Sequence, residues 1–215
     1  DRKAPIVPAS GVCESSVRSQ NIGDLRIYWS EIVDLADCLG DAESLKRAAL
    51  EFNQVLREIL SKASLLPFRF PIFLETEADL MQHLALEGAV YSEALKRIGD
   101  AVQYEIVGSW AGDEQTDLAT PVSGKEYLKR RQEALGKITA VDTKLKLVTG
   151  DAVQEWRSKQ DRRTHRWYAL VARGNRERFI KALRSAGPSE GVRLRLSGPW
   201  PPSEFVESMA GDERN

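Results

Sequence analysis

The stretch Val192-Arg193-Leu194-Arg195-Leu196-Ser197-Gly198-Pro199-Trp200-Pro201-Pro202 is the one on which the reading of the fold turns. Val192, Leu194 and Leu196 alternate with Arg193 and Arg195, the period-two pattern of a strand with two unlike faces. The strand then runs into Gly-Pro-Trp-Pro-Pro. Its three prolines hold φ near −65° and remove three backbone donors, so this end cannot pair as a central strand. A stiff extended peptide carrying one Trp is what remains.

Upstream of this strand the pattern alternates between strand and helix. Residues 101–110 alternate, with Val102, Tyr104 and Ile106 on one face. Ser123-Gly124-Lys125-Glu126 is a capping box of the S-x-x-E type and opens a long helix reaching at least Ile138. Gly150 and Asp151 interrupt it, and residues 152–159 read as helical again. Residues 167–172 read as a strand. Asn175 caps a short helix over 176–186 with Phe179, Ile180 and Leu183 as its apolar stripe. The order from Ala101 is that of a ferredoxin-like split βαβ sandwich, helices on one face of an antiparallel sheet.

The first hundred residues suggest a second α/β unit. Residues 1–24 are turn-rich, with Ile6-Val7 as a strand remnant, and residues 25–29 read as a strand. The clearest helix covers 41–63, with Asp41 as N-cap and Leu45, Ala48, Phe52, Val55, Leu56 and Ile59 at helical spacing. Residues 65–73, Leu-Leu-Pro-Phe-Arg-Phe-Pro-Ile-Phe, read as a strand or extended segment. Thr76-Glu77-Ala78-Asp79 resembles a second capping box and opens a helix to Ile98. The expected architecture is therefore α+β with two subdomains, 1–100 and 101–215, the second carrying the Pro-rich tail.

Composition narrows the function. The chain of 215 residues is 42% hydrophobic and 29% charged, with net charge −1. That balance makes no case for a nucleic-acid binder. No apolar run approaches the roughly 18 residues of a membrane span, and residues 1–24 do not read as a basic-then-apolar signal peptide. A cytoplasmic location is the expectation. Cys13 and Cys38 neither require nor forbid a disulfide, and reduced thiols are expected in that compartment. No zinc spacing, phosphate-cradling loop, nucleophile elbow or C-x-x-C is present, so neither metal nor cofactor is expected.

Leu66-Pro67-Phe68-Arg69-Phe70 and Ser197-Gly198-Pro199-Trp200-Pro201-Pro202-Ser203-Glu204-Phe205 resemble the two signature stretches of the gas vesicle protein F/L family. Ser123-Gly124-Lys125-Glu126-Tyr127-Leu128 is similar to that family's helix start. The match runs over residues 25–206. Pro71-Ile72 replaces the family's usual Gly-Thr, and Ser203-Glu204 its usual Tyr-Ser. The resemblance implies a non-enzymatic accessory protein of gas vesicles, needed for assembly and a candidate minor wall component. Its partners would be the small hydrophobic shell protein (gas vesicle protein A) or other accessory proteins. A shell subunit with a large apolar face aggregates unless held, and Pro-rich rigidity lowers the ordering cost of a holding surface.

The residues singled out for partner binding or interdomain contact are Pro67, Arg69 and Phe70, with Gly198, Pro199, Trp200, Pro201 and Pro202. Each also has a plain structural reading. Trp200 is expected to cap a core more than to anchor a partner, and Arg69 to sit in a structural salt bridge. The stretch 157–195 is basic and reads first as a solvated surface. Its functional alternative is a regulatory or RNA-binding module, with Trp167 and Tyr168 as a stacking platform. His83, within the second helix, and His165, in a basic loop, lack catalytic partners at a motif spacing. Asp113, Glu114 and Asp117 form an acidic loop read as a connector.

Overall fold

The computed structural model describes residues 8, 10–110, 124–160, 164–187 and 191–206. Ile6-Val7, Ser123 and the acidic loop with Asp113, Glu114 and Asp117 lie outside the described residues. The chain divides into two compact units: Asp1–Asp100 with Trp200–Asn215, and Ala101–Pro199. The break at Pro199 differs from the sequence reading, which kept 101–215 together.

The first unit opens with a hairpin. Strands β1 (Val17–Ile22) and β2 (Leu25–Ser30) pair antiparallel, Ile22 opposite Leu25. Gly23, at φ +57°, with Asp24 supplies the two-residue turn, where a positive φ matches the strands' twist. The turn-rich reading of residues 1–24 missed β1, because Arg18, Ser19, Gln20 and Asn21 give it no apolar face.

Three helices follow: α1 (Leu35–Leu39), α2 (Ala42–Leu60) and α3 (Glu77–Ile98). Their starts are local and legible. The Asp34 carboxylate accepts from Ala36 and Asp37 N–H, and that of Asp41 from Ser44 N–H. Thr76 and Asp79 form a complete capping box. Together these caps satisfy orphan donors of each first turn. Residues 65–73 are not a strand. They run between α2 and α3 without regular structure, since Pro67 and Pro71 cannot donate to a ladder.

Two clusters hold this unit. Ile27 of β2 packs with Leu80 and Leu84 of α3, joined by Trp29, Met81 and Tyr91. Val12, Cys38 and Ala48 form the other, joined by Phe52 and Phe70. Cys13 and Cys38 are disulfide-bonded with Cα atoms 5.6 Å apart, an ordinary bridging distance. This corrects the expectation of reduced thiols. The turn at Val12–Glu14 is what brings Cys13 to α1, and nothing in sequence spacing reveals it.

The second unit is one sheet with two helices. β3 (Ala101–Trp110), α4 (Gly124–Thr149), β4 (Glu155–Gln160), β5 (His165–Ala172), α5 (Arg176–Ser185) and β6 (Val192–Trp200) follow in order. The sheet order is β4-β5-β3-β6, with β5 antiparallel to both β3 and β4. Residues 152–159 were expected to be helical; 155–160 are instead an edge strand. Trp156 pairs opposite Ala169 and stands 6.5 Å from Phe179. Ladder pairing and aromatic burial override a weak local helix preference there.

The core of this unit lies between sheet and helices. Val102, Tyr104, Ile106, Trp167, Ala169 and Val171 share one face by register. Phe179 of α5 is fully buried against them, its ring 4.9 Å from Tyr104. Ile138, Val141 and Leu145 are the buried stripe of α4. Asn175 precedes α5 as read, but its side chain makes no capping bond.

Candidate partner-binding segments

In the first unit, α2 carries both aromatic segments. Phe52 packs against Phe70 at 5.1 Å between centroids. One and a half turns on, the Arg57 guanidinium lies 5.4 Å from the Trp200 ring centroid, within cation–π range. Phe68 makes edge contacts with His83 and Tyr91 of α3 at 5.8 and 5.7 Å. His83 Nε2 and the Tyr91 hydroxyl are 2.8 Å apart. Burial pushes the Tyr91 hydroxyl pKa up. His83 is thus a hydrogen-bonded member of an aromatic cluster.

The segment 65–74 splits by exposure. Pro67, Phe68 and Phe70 are half-buried, and the two Phe rings meet the helices. Arg69 is exposed and has no ion pair among the described residues, so the expected salt bridge is not formed. Beyond Pro71, Ile72, Phe73 and Leu74 are 57%, 44% and 46% exposed. Three consecutive large apolar side chains in water are not what folding alone selects.

The second segment behaves differently along its length. Gly198 adopts φ +123°, and a Cβ there would meet the Gln103 carbonyl oxygen and Tyr104 Cδ1, each at 2.9 Å. Only glycine fits that position of β6. Pro201, Pro202 and Phe205 are buried, while Trp200 is half-buried. A short turn at Ser203–Phe205 is closed by Phe205 N–H donating to the Pro202 carbonyl at 3.1 Å. Arg97, at the end of α3, donates to the Phe205 carbonyl. The peptides Phe70–Pro71 and Gly198–Pro199 are both cis.

Sequence reasoning placed Phe52 only in the apolar stripe of α2 and passed over Arg57 and Arg97. Arg57 and Arg97 sit in the last turns of α2 and α3, where cations are ordinary. Nothing local marks them as partners of residues more than a hundred positions away.

The second unit offers no stacking platform of the kind read from Trp167 and Tyr168. Their exposures are 1% and 7%, so neither ring can receive a base. His165, read as part of a basic loop, is the buried first residue of β5. Its ring lies 4.3 Å from Trp167, and its Nδ1 has no hydrogen-bond partner among the described residues. Burial lowers its pKa, an effect that the Asp142 charge partly opposes. Among the described residues there is no group of three or more metal-ligating side chains. No helix among them is long and apolar enough to cross a membrane.

The comparisons with known proteins agree with one another. The family model described as gas vesicle synthesis protein GvpL/GvpF matches residues 1–207. The fold is similar to that of GvpF from Anabaena sp. PCC7120, at 16% identity and a TM-score of 0.70, covering 94% of this chain and 89% of that one. It is likewise similar to GvpF from Microcystis aeruginosa, at 15% identity and a TM-score of 0.73, covering 94% and 93%. No curated protein matches the chain. At these identities the structural matches speak for the mixed helix-and-sheet fold, and the family model for descent. GvpL/GvpF is a gas vesicle protein family and not a known enzyme family. With its model matched over residues 1–207, the chain belongs to the gas vesicle synthesis protein GvpL/GvpF family.

Proposed function

We propose that this protein is a gas vesicle accessory protein that acts in the cytoplasm by binding the hydrophobic shell protein during vesicle assembly. The observation that carries this reading is the run Ile72-Phe73-Leu74, exposed beside a scaffold of Phe52, Phe68 and Phe70. An apolar surface presented on a braced segment loses little entropy on meeting another apolar surface. The reading assigns Pro67 and Phe70, with Gly198, Pro199, Pro201 and Pro202, to the scaffold. It assigns Arg69 and Ile72-Phe73-Leu74 to the partner surface, with Trp200 at its margin. The chemistry is binding, without a reaction.

The second unit is read as a ferredoxin-like frame. Its strand and helix order and its sheet order β4-β5-β3-β6 support that reading. The RNA-binding alternative keeps its basic surface but loses its stacking platform with the burial of Trp167 and Tyr168.

Co-expression with the shell protein tests the proposal. Shell protein should stay soluble and co-purify with this chain. The double variant Ile72→Asp, Phe73→Asp, checked for native circular dichroism, should lose that complex. A shell protein that aggregates equally with and without this chain would overturn the holding role.

A further inference from the structure

We propose that the outer edge of β6 is a second binding site, one that accepts an extended partner segment alternating acidic and apolar residues as a fifth strand. It goes beyond the reading above, because it lies in the other unit and calls on a different chemistry.

β6 ends the sheet order, so one of its hydrogen-bonding edges has no strand beside it among the described residues. Such an edge is a template for another chain. Its register on β3 follows from three contacts. Ser197 Oγ donates to the Glu105 carboxylate at 3.2 Å. A Cβ on Gly198 would touch Tyr104, and one on Gly108 would lie 3.6 Å from Leu194. Residue numbers rise on one strand as they fall on the other, so the two run antiparallel. Arg193, Arg195 and Ser197 therefore share the face of Glu105, and Leu194 and Leu196 that of Trp167.

Four successive residues of this strand are exposed. Arg193 and Arg195 project on one face. Leu194 and Leu196 project on the other and remain 37% and 39% exposed, whereas Val192 on the same face is 7% exposed. A solvated strand has no need of two half-exposed leucines, and an interior one has no use for two arginines. Both are accounted for by a neighbour that brings carboxylates to one face and apolar side chains to the other.

The charge around the site has the matching sign. By register, Arg157, Lys159 and Arg166 lie on the face of Arg193 and Arg195. Glu105 and Glu155 are the acids there, Glu105 pairing with Arg166 at 2.5 Å and Glu155 with Arg157 at 2.9 Å. Five cations thus face two carboxylates among the described strand residues. Such a field draws an acidic segment and repels a basic one. A nucleic acid would meet the same charge, but among the described residues the face offers it no exposed ring, because Tyr168 is buried.

The test uses the purified full chain and synthetic peptides of about eight residues, a typical strand length. An alternating Glu/Val peptide should bind, and an alternating Lys/Val peptide should not. A Glu/Val peptide of equal composition in two blocks, or one N-methylated on the edge that faces β6, should bind at least about tenfold more weakly. The variant Arg193→Glu, Arg195→Glu, with unchanged circular dichroism, should lose at least about tenfold in affinity, and Arg195→Gln should lose less. Amides of 193–196 should gain hydrogen-exchange protection on binding. No binding of the alternating Glu/Val peptide would overturn the proposal. So would equal binding of the N-methylated or block peptide, undiminished binding by the double variant, or preferential binding of an oligouridine that displaces the peptide.

Discussion

The Arg57 guanidinium stands 5.4 Å from the centre of the Trp200 ring, joining the last turns of α2 to the start of the C-terminal segment. The two residues belong to the same unit although 143 positions separate them in sequence. The prolines on either side fix the approach of the ring, and the cation holds it.

Removing either partner should loosen this segment. Trp200→Ala should destabilise the first unit by about 1–3 kcal/mol, since the ring is half-buried. Arg57→Ala should cost about 0.5–1 kcal/mol. A double-mutant cycle by urea unfolding should give a coupling near the smaller figure. Strictly additive effects would mean that the two groups do not interact in solution.

Gly198→Ala should be among the most damaging single changes in the second unit. The residue sits at φ +123°, and the new methyl would press on the Gln103 carbonyl and on Tyr104, which is 1% exposed. Strain and overpacking together should cost about 2–4 kcal/mol. Thermal denaturation reads this directly, and an unchanged melting curve would contradict the geometry.

Reduction should weaken the first unit. The Cys13–Cys38 bridge spans a separation of 25 residues, and a loop of that length corresponds to about 3.5 kcal/mol in the chain-entropy account. A melt with and without a dithiol reductant should show the difference. Cys13→Ser, Cys38→Ser should match the reduced protein and be indifferent to reductant.

Stability should fall on acidification through His165. Its folded-state pKa is lowered by burial from an ordinary 6.5. The unfolded chain therefore takes up a proton first as pH drops. Full stability holds above about 6.5 and declines from there down to the depressed folded value, where the loss levels off. Chemical denaturation across this window should show the decline, and His165→Gln should flatten the part due to this residue. A profile identical in both proteins would exclude His165 as the source.

Much of the fold was legible where the determinants are local. The caps at Asp41 and Thr76, the stripe of α2 and the alternation of β3 and β6 each depend on residues within a few positions of one another. Four features were not. β1 lacks an apolar face, and its Gly23-Asp24 turn was the overlooked signal. Residues 65–73 are rich in strand formers, yet two prolines leave them without a ladder. Residues 155–160 become a strand only because β5 and Phe179 stand beside them. Arg69 is exposed to solvent and makes no ion pair among the described residues, and nothing in the residues around it shows this in advance.

The sequence by itself determined the family, through two proline-bracketed aromatic motifs, and the placement of most helices and strands, through period and capping. Both are properties of neighbouring residues. Only the tertiary structure decided which parts of those motifs are buried, that Cys13 meets Cys38, that Arg57 meets Trp200, and that β6 is left at a sheet edge with its leucines half-exposed. These depend on which distant segments come to share a core, and hydrophobic contact carries no address in the chain.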